Sequence, residues 1–574
     1  MTTILRKATA RPSASATAQP ELPRLLRGRP LGLAMASAVV LWAAFLPVGQ
    51  APAAWVGLVP FLLLVEHGAR SRAVYGSALA GGFAFWLLAI GWVQLAEPGP
   101  ESWLAVALMA LVLGSLWPLS LYLIRRGVRT LGWPMLAVAP AVWLAQEYLR
   151  AYLLTGFPWY YLAHSQYQIL PIIQVADIAG AWGLSALIAA SNALIAAGLI
   201  RWARGGRLPW GQFGLVASLV AASLAYGAYH LNSAEFRAGP KLALLQSNIR
   251  QERQNKDPDF TFFSYQRLVR KAMQGDVRPD MIVWSETSFP YNYMRFDPAI
   301  PPAELERQVK AIHPKNTVEG WTRWANDSKN QLHPWVDSLG VPMMIGTTLY
   351  DHRPEGFGRY NAAILIEPGR PEVQTYSKLH LVPFGEYVPL IETVPAIRIL
   401  TPYRDDYIPN LNFGPGPRWI DFGGLRIAVA ICFEDTVPQV VGPLMRETPD
   451  GQAPDILVNQ SNDGWFYGSS EHRTHLAISV FRAVEHRVPL ARAVNTGITA
   501  MVDGNGRILA ELPEATEGVL TVDVPLDDRD SLYRRTGDWL PVVASVISLI
   551  ILPASLVSRR RASRRDPAGL PRAD

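Results

Sequence analysis

Cys432 is the only cysteine in the chain. It closes an apolar run, Leu425-Arg-Ile-Ala-Val-Ala-Ile-Cys432, and Phe433, Glu434 and Asp435 follow. A thiol at the end of a strand, where the chain must turn sharply, faces substrate while the sheet holds it still. The peptide N–H that follows it can then meet a developing oxyanion. Such attack requires a thiolate or a nearby base. Glu286 closes a second short apolar run, Met281-Ile-Val-Trp-Ser-Glu286. A carboxylate between apolar walls is suited to taking a proton, and equally to capping a turn. Lys378 lies in Tyr376-Ser-Lys-Leu-His-Leu-Val-Pro-Phe-Gly-Glu-Tyr-Val-Pro389, with Glu386 eight residues beyond it. A fixed cation favours a thiolate and steadies a tetrahedral oxyanion. Taken singly, each residue is also an ordinary surface lysine, loop glutamate or inert buried thiol.

The elements that must position these residues are short. β-rich runs recur at 241–246, 281–284, 342–347, 362–366, 425–431, 456–459 and 520–524, with helical stretches at 261–273 and 474–485. Strands alternating with helices imply an α/β domain with helices packed on sheets. Residues 291–325 and 401–417, rich in Pro, Asn and aromatics, read as long loops, which are often lids.

Outside this region the chain is different in kind. Half of its 574 residues are hydrophobic and only 17% are charged, below the usual share of about 25%. Apolar runs at 31–48, 53–65, 74–95, 103–124, 131–149, 172–200, 210–231 and 539–557 read as eight membrane spans. Arginines cluster at 70–72, 125–129, 201–207 and 559–565, while Glu97 and Glu101 lie in an alternate loop. Basic loops stay in the cytoplasm. The expected organisation is a basic tail (1–29), a seven-span domain (30–231), an exported α/β domain (232–538), an eighth span (539–557) and a basic cytoplasmic tail (558–574). In a bacterium the exported side of the inner membrane is the periplasm. The +6 formal charge sits beside apolar segments, so it signals topology, with no nucleic acid implied. One cysteine excludes an intrachain disulfide.

Trp284-Ser-Glu286, Tyr376-Ser-Lys378 and Ile431-Cys-Phe-Glu434, in that order, resemble the nitrilase, or carbon–nitrogen hydrolase, superfamily. Leu379-His-Leu-Val-Pro-Phe-Gly-Glu-Tyr-Val-Pro389, Thr155-Gly-Phe-Pro-Trp159 and Ser461-Asn-Asp-Gly-Trp-Phe466, with the membrane layout, resemble its apolipoprotein N-acyltransferase branch. The resemblance spans nearly the whole chain apart from the polar tails. It implies an α-β-β-α sandwich carrying a Glu–Lys–Cys triad: Glu286 as general base, Lys378 as oxyanion-stabilising lysine and Cys432 as nucleophile. It assigns supporting roles to Glu386, Phe433 and Glu434. Phe433 stands where members often carry Tyr, and Asn255 where some carry Trp. The implied reaction passes an acyl chain from a phospholipid through a Cys432 thioester to the α-amine of a diacylated apolipoprotein. It needs no metal or cofactor, and no phosphate-binding glycine loop is present in the sequence.

Two rival classes remain in view: a membrane-tethered amidase acting on a soluble carbon–nitrogen substrate, and a transporter with an exported solute-binding domain. The second predicts paired charges inside the spans, and few are present. Glu147, near a span end beside Arg150, is the exception, and residues 155–161 beyond it suit an outer interface. His472 and His475 have helical spacing for a metal but no adjacent carboxylate pattern, so they read as polar helix residues.

Overall fold

The computed structural model describes residues 29–96, 99–391, 393–394, 409–446 and 451–563. Glu97, residues 401–408, most of the N-terminal tail and the tail from 564 onward lie outside them, as does the side chain of Asn255.

Strands β1 (Arg237–Gln246), β2 (Met281–Val283), β3 (Phe289–Phe296), β4 (Met343–Arg353), β5 (Gly356–Ile366) and β6 (Gln374–Ser377) belong to a first sheet. Strands β7 (Trp419–Phe422), β8 (Leu425–Ile431), β9 (Ile456–Ser461), β10 (Leu490–Val494), β11 (Ala500–Val502) and β12 (Ile508–Glu511) form a second, in the order β12-β11-β10-β9-β8-β7. The last strand, β13 (Gly518–Leu526), returns to the first sheet, whose order is β13-β1-β2-β4-β5-β6 with β3 also beside β4. The central pairs β1–β2 and β2–β4 in one sheet, and β8–β9 and β9–β10 in the other, are parallel.

Side-chain alternation makes the layers. Leu242, Leu244, Met281, Val283 and Met344 point inward to the core shared with β8 and β9. Their neighbours Ala243, Leu245, Ile282, Trp284 and Ile345 point outward onto Phe262, Leu268, Leu332 and Val336 of two outer helices. Those helices, Pro258–Gln274 and Val318–Leu339, are capped by Asp257, whose carboxylate accepts from Phe260 N–H at 2.9 Å, and by Thr317. On the far side the helix Glu471–His486 covers the second sheet. The α-β-β-α expectation is met. The region 291–325 is not a loop: it supplies most of β3, the helix Pro302–Ile312 and the start of Val318–Leu339. Trp321 and Val309 there build a small separate core with Met294 and Tyr350, which the Pro and Asn content concealed.

The helical half contains Pro30–Ala44, a broken stretch over 51–66, Ser71–Ala89, a stretch over 100–130, Met135–Tyr152, Ala176–Ala203 and Trp210–Ser233, and Trp539–Ser563 returns to it. Among the described residues, four helices are long and apolar enough to cross a membrane by length and composition: 100–130, Ala176–Ala203, Trp210–Ser233 and 539–558. The first helix stops at Ala44, short of the expected 48. The break within 51–66 is stabilised by Asn192, whose Oδ1 accepts from Leu58 N–H at 2.8 Å while its Nδ2 donates to Ala54 O at 2.9 Å. Side chains that satisfy freed backbone groups let an apolar helix break. A Cβ on Gly82 would lie 2.6 Å from Gly114 O, so these two helices touch through glycine.

The two halves share buried polar contacts. Arg487 pairs with Asp177 at 2.5 Å and donates to Gln174 Oε1 at 2.6 Å. Glu485 accepts from Ala181 N–H at 2.8 Å, and Trp182 Nε1 donates to Asp538 at 2.8 Å.

Candidate active site

β8 is a buried apolar strand between β7 and β9, and the chain turns sharply where it ends. Cys432 has φ of 56°, a left-handed conformation uncommon for a residue with a side chain. Such a conformation costs roughly 1–3 kcal/mol and persists only where neighbours impose it. Asn459, on β9, donates from Nδ2 to Cys432 O at 2.9 Å. A short 3-10 turn, Cys432–Thr436, follows. The thiol is partly exposed. Burial of its surroundings pushes it well above the usual thiol range; Glu286 adds to this and Lys378 opposes it.

Lys378 follows β6, its N–H donating to Asn361 O at 2.8 Å. Its side chain is 1% exposed, and Nζ lies 3.1 Å from Glu286 Oε1 and 3.0 Å from Glu386 Oε2. Burial alone would lower its pKa, but the two carboxylates outweigh that and hold it well above the ordinary lysine value. Asn361 Nδ2 donates to both carboxylates, at 2.8 Å each. Glu286 Oε2 accepts from Asn462 N–H at 2.9 Å, and Glu386 Oε2 from Val382 N–H at 2.8 Å. Gly346 is required beside Glu286: a Cβ there would lie 2.3 Å from Ser285 O and 2.8 Å from Glu286 Cα.

Glu434 joins these pieces. Its Oε2 accepts from Ile431 N–H at 2.8 Å and Tyr376 O–H at 2.9 Å, and its Oε1 from Leu379 N–H at 2.6 Å and His380 N–H at 2.9 Å. One buried carboxylate therefore ties the strand before Cys432 to the segment on either side of Lys378. Burial lifts it to about 7 despite those donors. Phe433 lies with Lys378 Nζ 5.6 Å from its ring centre and the His380 ring 5.3 Å away. Phe433 thus offers the ammonium an aromatic face and no hydroxyl.

The six residues singled out in the sequence meet at one place, from β2, β6 and β8 and the loops after them. The sequence reading missed Asn361, Asn459 and the backbone of Asn462. Their only signal is polarity in or after otherwise apolar strands, and only Asn462 lay inside a quoted motif.

The histidines need correction. His475 does have carboxylates around it, brought from distant segments: Asp435 at 2.8 Å, Asp463 at 3.4 Å and Glu471 at 3.6 Å. Ligand atoms of Asp463, Glu471 and His475 lie within 4.8 Å of one another. Arg492 already occupies this cluster, 2.8 Å from Asp435 and 3.6 Å from Asp463. Burial and Arg492 would lower His475, but Asp435 and Asp463 outweigh them and raise it to about 10. His475 and Arg492 offset Asp435 and Asp463, while burial and the neighbouring Asp463 push Glu471 well above the usual carboxylate range, so the group is an ion network. His472 turns instead to Glu514, 3.0 Å away.

Glu147 does not pair directly with Arg150. It accepts from Trp143 Nε1 at 3.0 Å and Leu162 N–H at 2.9 Å, while Arg150 donates to the carbonyls of Phe157 and Trp159. Trp159, Tyr160 and Tyr161 are buried, not facing outward as an interfacial belt would. Trp159 packs on the α/β half, its ring centre 5.7 Å from that of His475, while Tyr160 packs against Phe45 and Trp86 and Tyr161 against His164 and Trp182, all within the helical half.

Residues 37–194 match the model of the apolipoprotein N-acyltransferase N-terminal domain, and residues 241–534 that of carbon–nitrogen hydrolases. The chain is 32% identical to an apolipoprotein N-acyltransferase of Geobacter metallireducens over 92% of its own length and 95% of that protein's. It is 30% identical to one from Azotobacter vinelandii, covering 91% and 95% of the two chains. Among solved structures it is similar to a CN-hydrolase superfamily protein from Xanthomonas campestris, at 16% identity and a TM-score of 0.33, covering 56% of this chain and 97% of that one.

Proposed function

Since the chain belongs to the apolipoprotein N-acyltransferase family, the enzymes of lipoprotein maturation, we propose that Cys432, Glu286 and Lys378 carry its acyl transfer, with a phospholipid as donor. Glu286 takes the Cys432 proton, and the sulfur attacks the ester carbonyl of a phospholipid acyl chain. Lys378 and the Phe433 N–H hold the oxyanion. The carbon–oxygen bond breaks, the lysophospholipid leaves with the proton, and the acyl group remains on sulfur as a thioester. The α-amine of a diacylglyceryl-cysteine then attacks this thioester. The amine loses a proton by way of Glu286, the carbon–sulfur bond breaks, and the thiol is restored.

One observation carries this reading: Glu286 bridges the Lys378 ammonium and the Asn462 N–H, next to a thiol held in a left-handed turn. A thiol raised by burial is protonated at rest, so it requires the base that this arrangement supplies. Glu386 fixes Lys378 from its other side. Residues 232–538 face the periplasm in this proposal, above eight inner-membrane spans, so that both lipid-bound substrates reach Cys432 from the bilayer.

Intact mass spectrometry tests it. Phospholipid alone should add one acyl mass to the protein, and neutral hydroxylamine should remove it. A diacylated lipoprotein should discharge it onto its own amine. Discharge by water as fast as by lipoprotein would instead make the protein a tethered hydrolase.

A further inference from the structure

Asp435 sits in the short turn that Cys432 begins, three residues beyond the thiol, and it is fully buried. Three groups hold it. His475 Nε2 lies 2.8 Å from Oδ1, Ser479 O–H donates to Oδ2 at 2.6 Å, and Arg492 Nη1 donates to Oδ2 at 2.8 Å. Arg492 also donates to the Ser479 hydroxyl at 2.6 Å. On its other side the imidazole faces Asp463 and Glu471, and the Trp159 ring of the helical half lies against it. Every one of these side chains is buried.

We propose that His475 is a positioning residue for the acyl-transfer reaction: through Asp435 it fixes the turn that presents the Cys432 thiol and the Phe433 N–H to the acyl carbonyl. The inference rests on the proposed roles of Cys432 and Phe433. The physical argument starts from the left-handed backbone at Cys432, which neighbouring contacts must impose. Glu434 and Asn459 hold the strand side of this turn. Asp435 is its other anchor, and His475 is that anchor's imidazole partner. A shift of the turn moves the peptide N–H that faces the oxyanion, and oxyanion stabilisation is steeply sensitive to that placement. A divalent cation at Asp463, Glu471 and His475 is the competing reading. It fails on charge, because Arg492 lies 3.6 Å from Asp463.

The test uses the full-length protein in detergent and two reagents for its single thiol. p-Nitrophenyl acetate acylates Cys432 through a tetrahedral oxyanion. Iodoacetamide alkylates it by direct displacement and needs no oxyanion. His475→Gln should slow acylation about tenfold, with alkylation within about threefold of wild type and KM for the acyl donor little changed. Ser479→Ala, which removes one hydroxyl at the same anchor, should slow acylation about threefold. The double variant should be no slower than His475→Gln, because both act through Asp435. Wild-type acylation by folded His475→Gln, or equal losses in acylation and alkylation, would overturn the proposal. If His475→Gln does not fold, Ser479→Ala decides alone, and wild-type acylation by it is the overturning result. Wild-type protein that reacts with nitrophenyl acetate but not with phospholipid removes the donor reading and leaves this inference intact.

Discussion

Replacing Lys378 by Met keeps an unbranched apolar stem and removes the ammonium shared by Glu286 and Glu386 at 3.1 and 3.0 Å. Two effects follow, and they fall on different measurements. A lost oxyanion donor raises the barrier by about 3 kcal/mol, roughly a hundredfold in rate. Separately, the buried Glu286 and the partly buried Glu386 are left with Asn361 between them and no lysine. Removing one partner of a buried ion pair destabilises by about 3–5 kcal/mol. Lys378→Met should therefore charge Cys432 with phospholipid acyl chains at least about a hundredfold more slowly, and it should melt earlier. Adding Glu386→Gln removes one of the stranded charges, so it should recover part of the stability and none of the charging rate. Single-turnover mass spectrometry gives the rate, and thermal unfolding in the same micelles gives the stability. Charging within about threefold of wild type by folded Lys378→Met would refute the oxyanion role. Recovery of charging in the double variant would show that the loss was only one of folding.

Three further outcomes are expected. Cys432→Ala should insert and fold, yet show neither acyl charging nor transfer; transfer at the wild-type rate would rule out covalent thiol catalysis. Glu434 is lifted from 4.5 to about 7 by burial, so the stability linked to its protonated form is fully present below pH about 4.5 and is lost as pH rises through about 7, by at most roughly 3 kcal/mol. Thermal unfolding from pH 4 to 8 should show this decline in wild type and lack it in Glu434→Gln, and identical profiles would remove Glu434 as its source. Reporter fusions within 127–130 and at Arg204 should read cytoplasmic and a fusion at Gly275 periplasmic, as the arginine-rich loops require; a cytoplasmic reading at Gly275 would overturn the proposed topology.

What the sequence disclosed follows from how local each feature is. Cys432 and Glu286 were legible because each closes a short apolar run, and a strand end dictates where the next side chain goes; Lys378 follows the polar run Gln374–Ser377 and was legible only through the motif around it. Glu434 was visible beside Cys432, but its task was not: its four donors come from Tyr376, Leu379, His380 and Ile431, and three of these lie more than fifty residues away in sequence. The carboxylates around His475 escaped for the same reason, since Asp435 and Asp463 reach it from separate strand ends. Residues 291–325 were misread because Pro and Asn argue for loops, whereas Trp321 and Val309 find partners only in the folded chain. β10, β11 and β12 are only three to five residues long, too short for periodicity to announce.

The contact with the helical half is built into the core of the α/β half. Helix Glu471–His486 lies on the second sheet, yet its other face is buried by Ala176–Ala203 of the helical half. Nearly every residue of this helix is therefore buried, including Arg482 and Glu485, which pair at 2.9 Å. Stripping the helical half away would expose apolar side chains. It would also leave Arg487 without Asp177 and Gln174, and unpartnered groups at a former interface are costly. The α/β half is thus not a soluble enzyme hung on a tether. The helix that borders the helical half also carries His475 and Ser479, which hold Asp435 beside Cys432. The turn at Cys432 is therefore tied through one helix to the apolar scaffold, which in the proposed reaction brings the lipid-borne substrates to it.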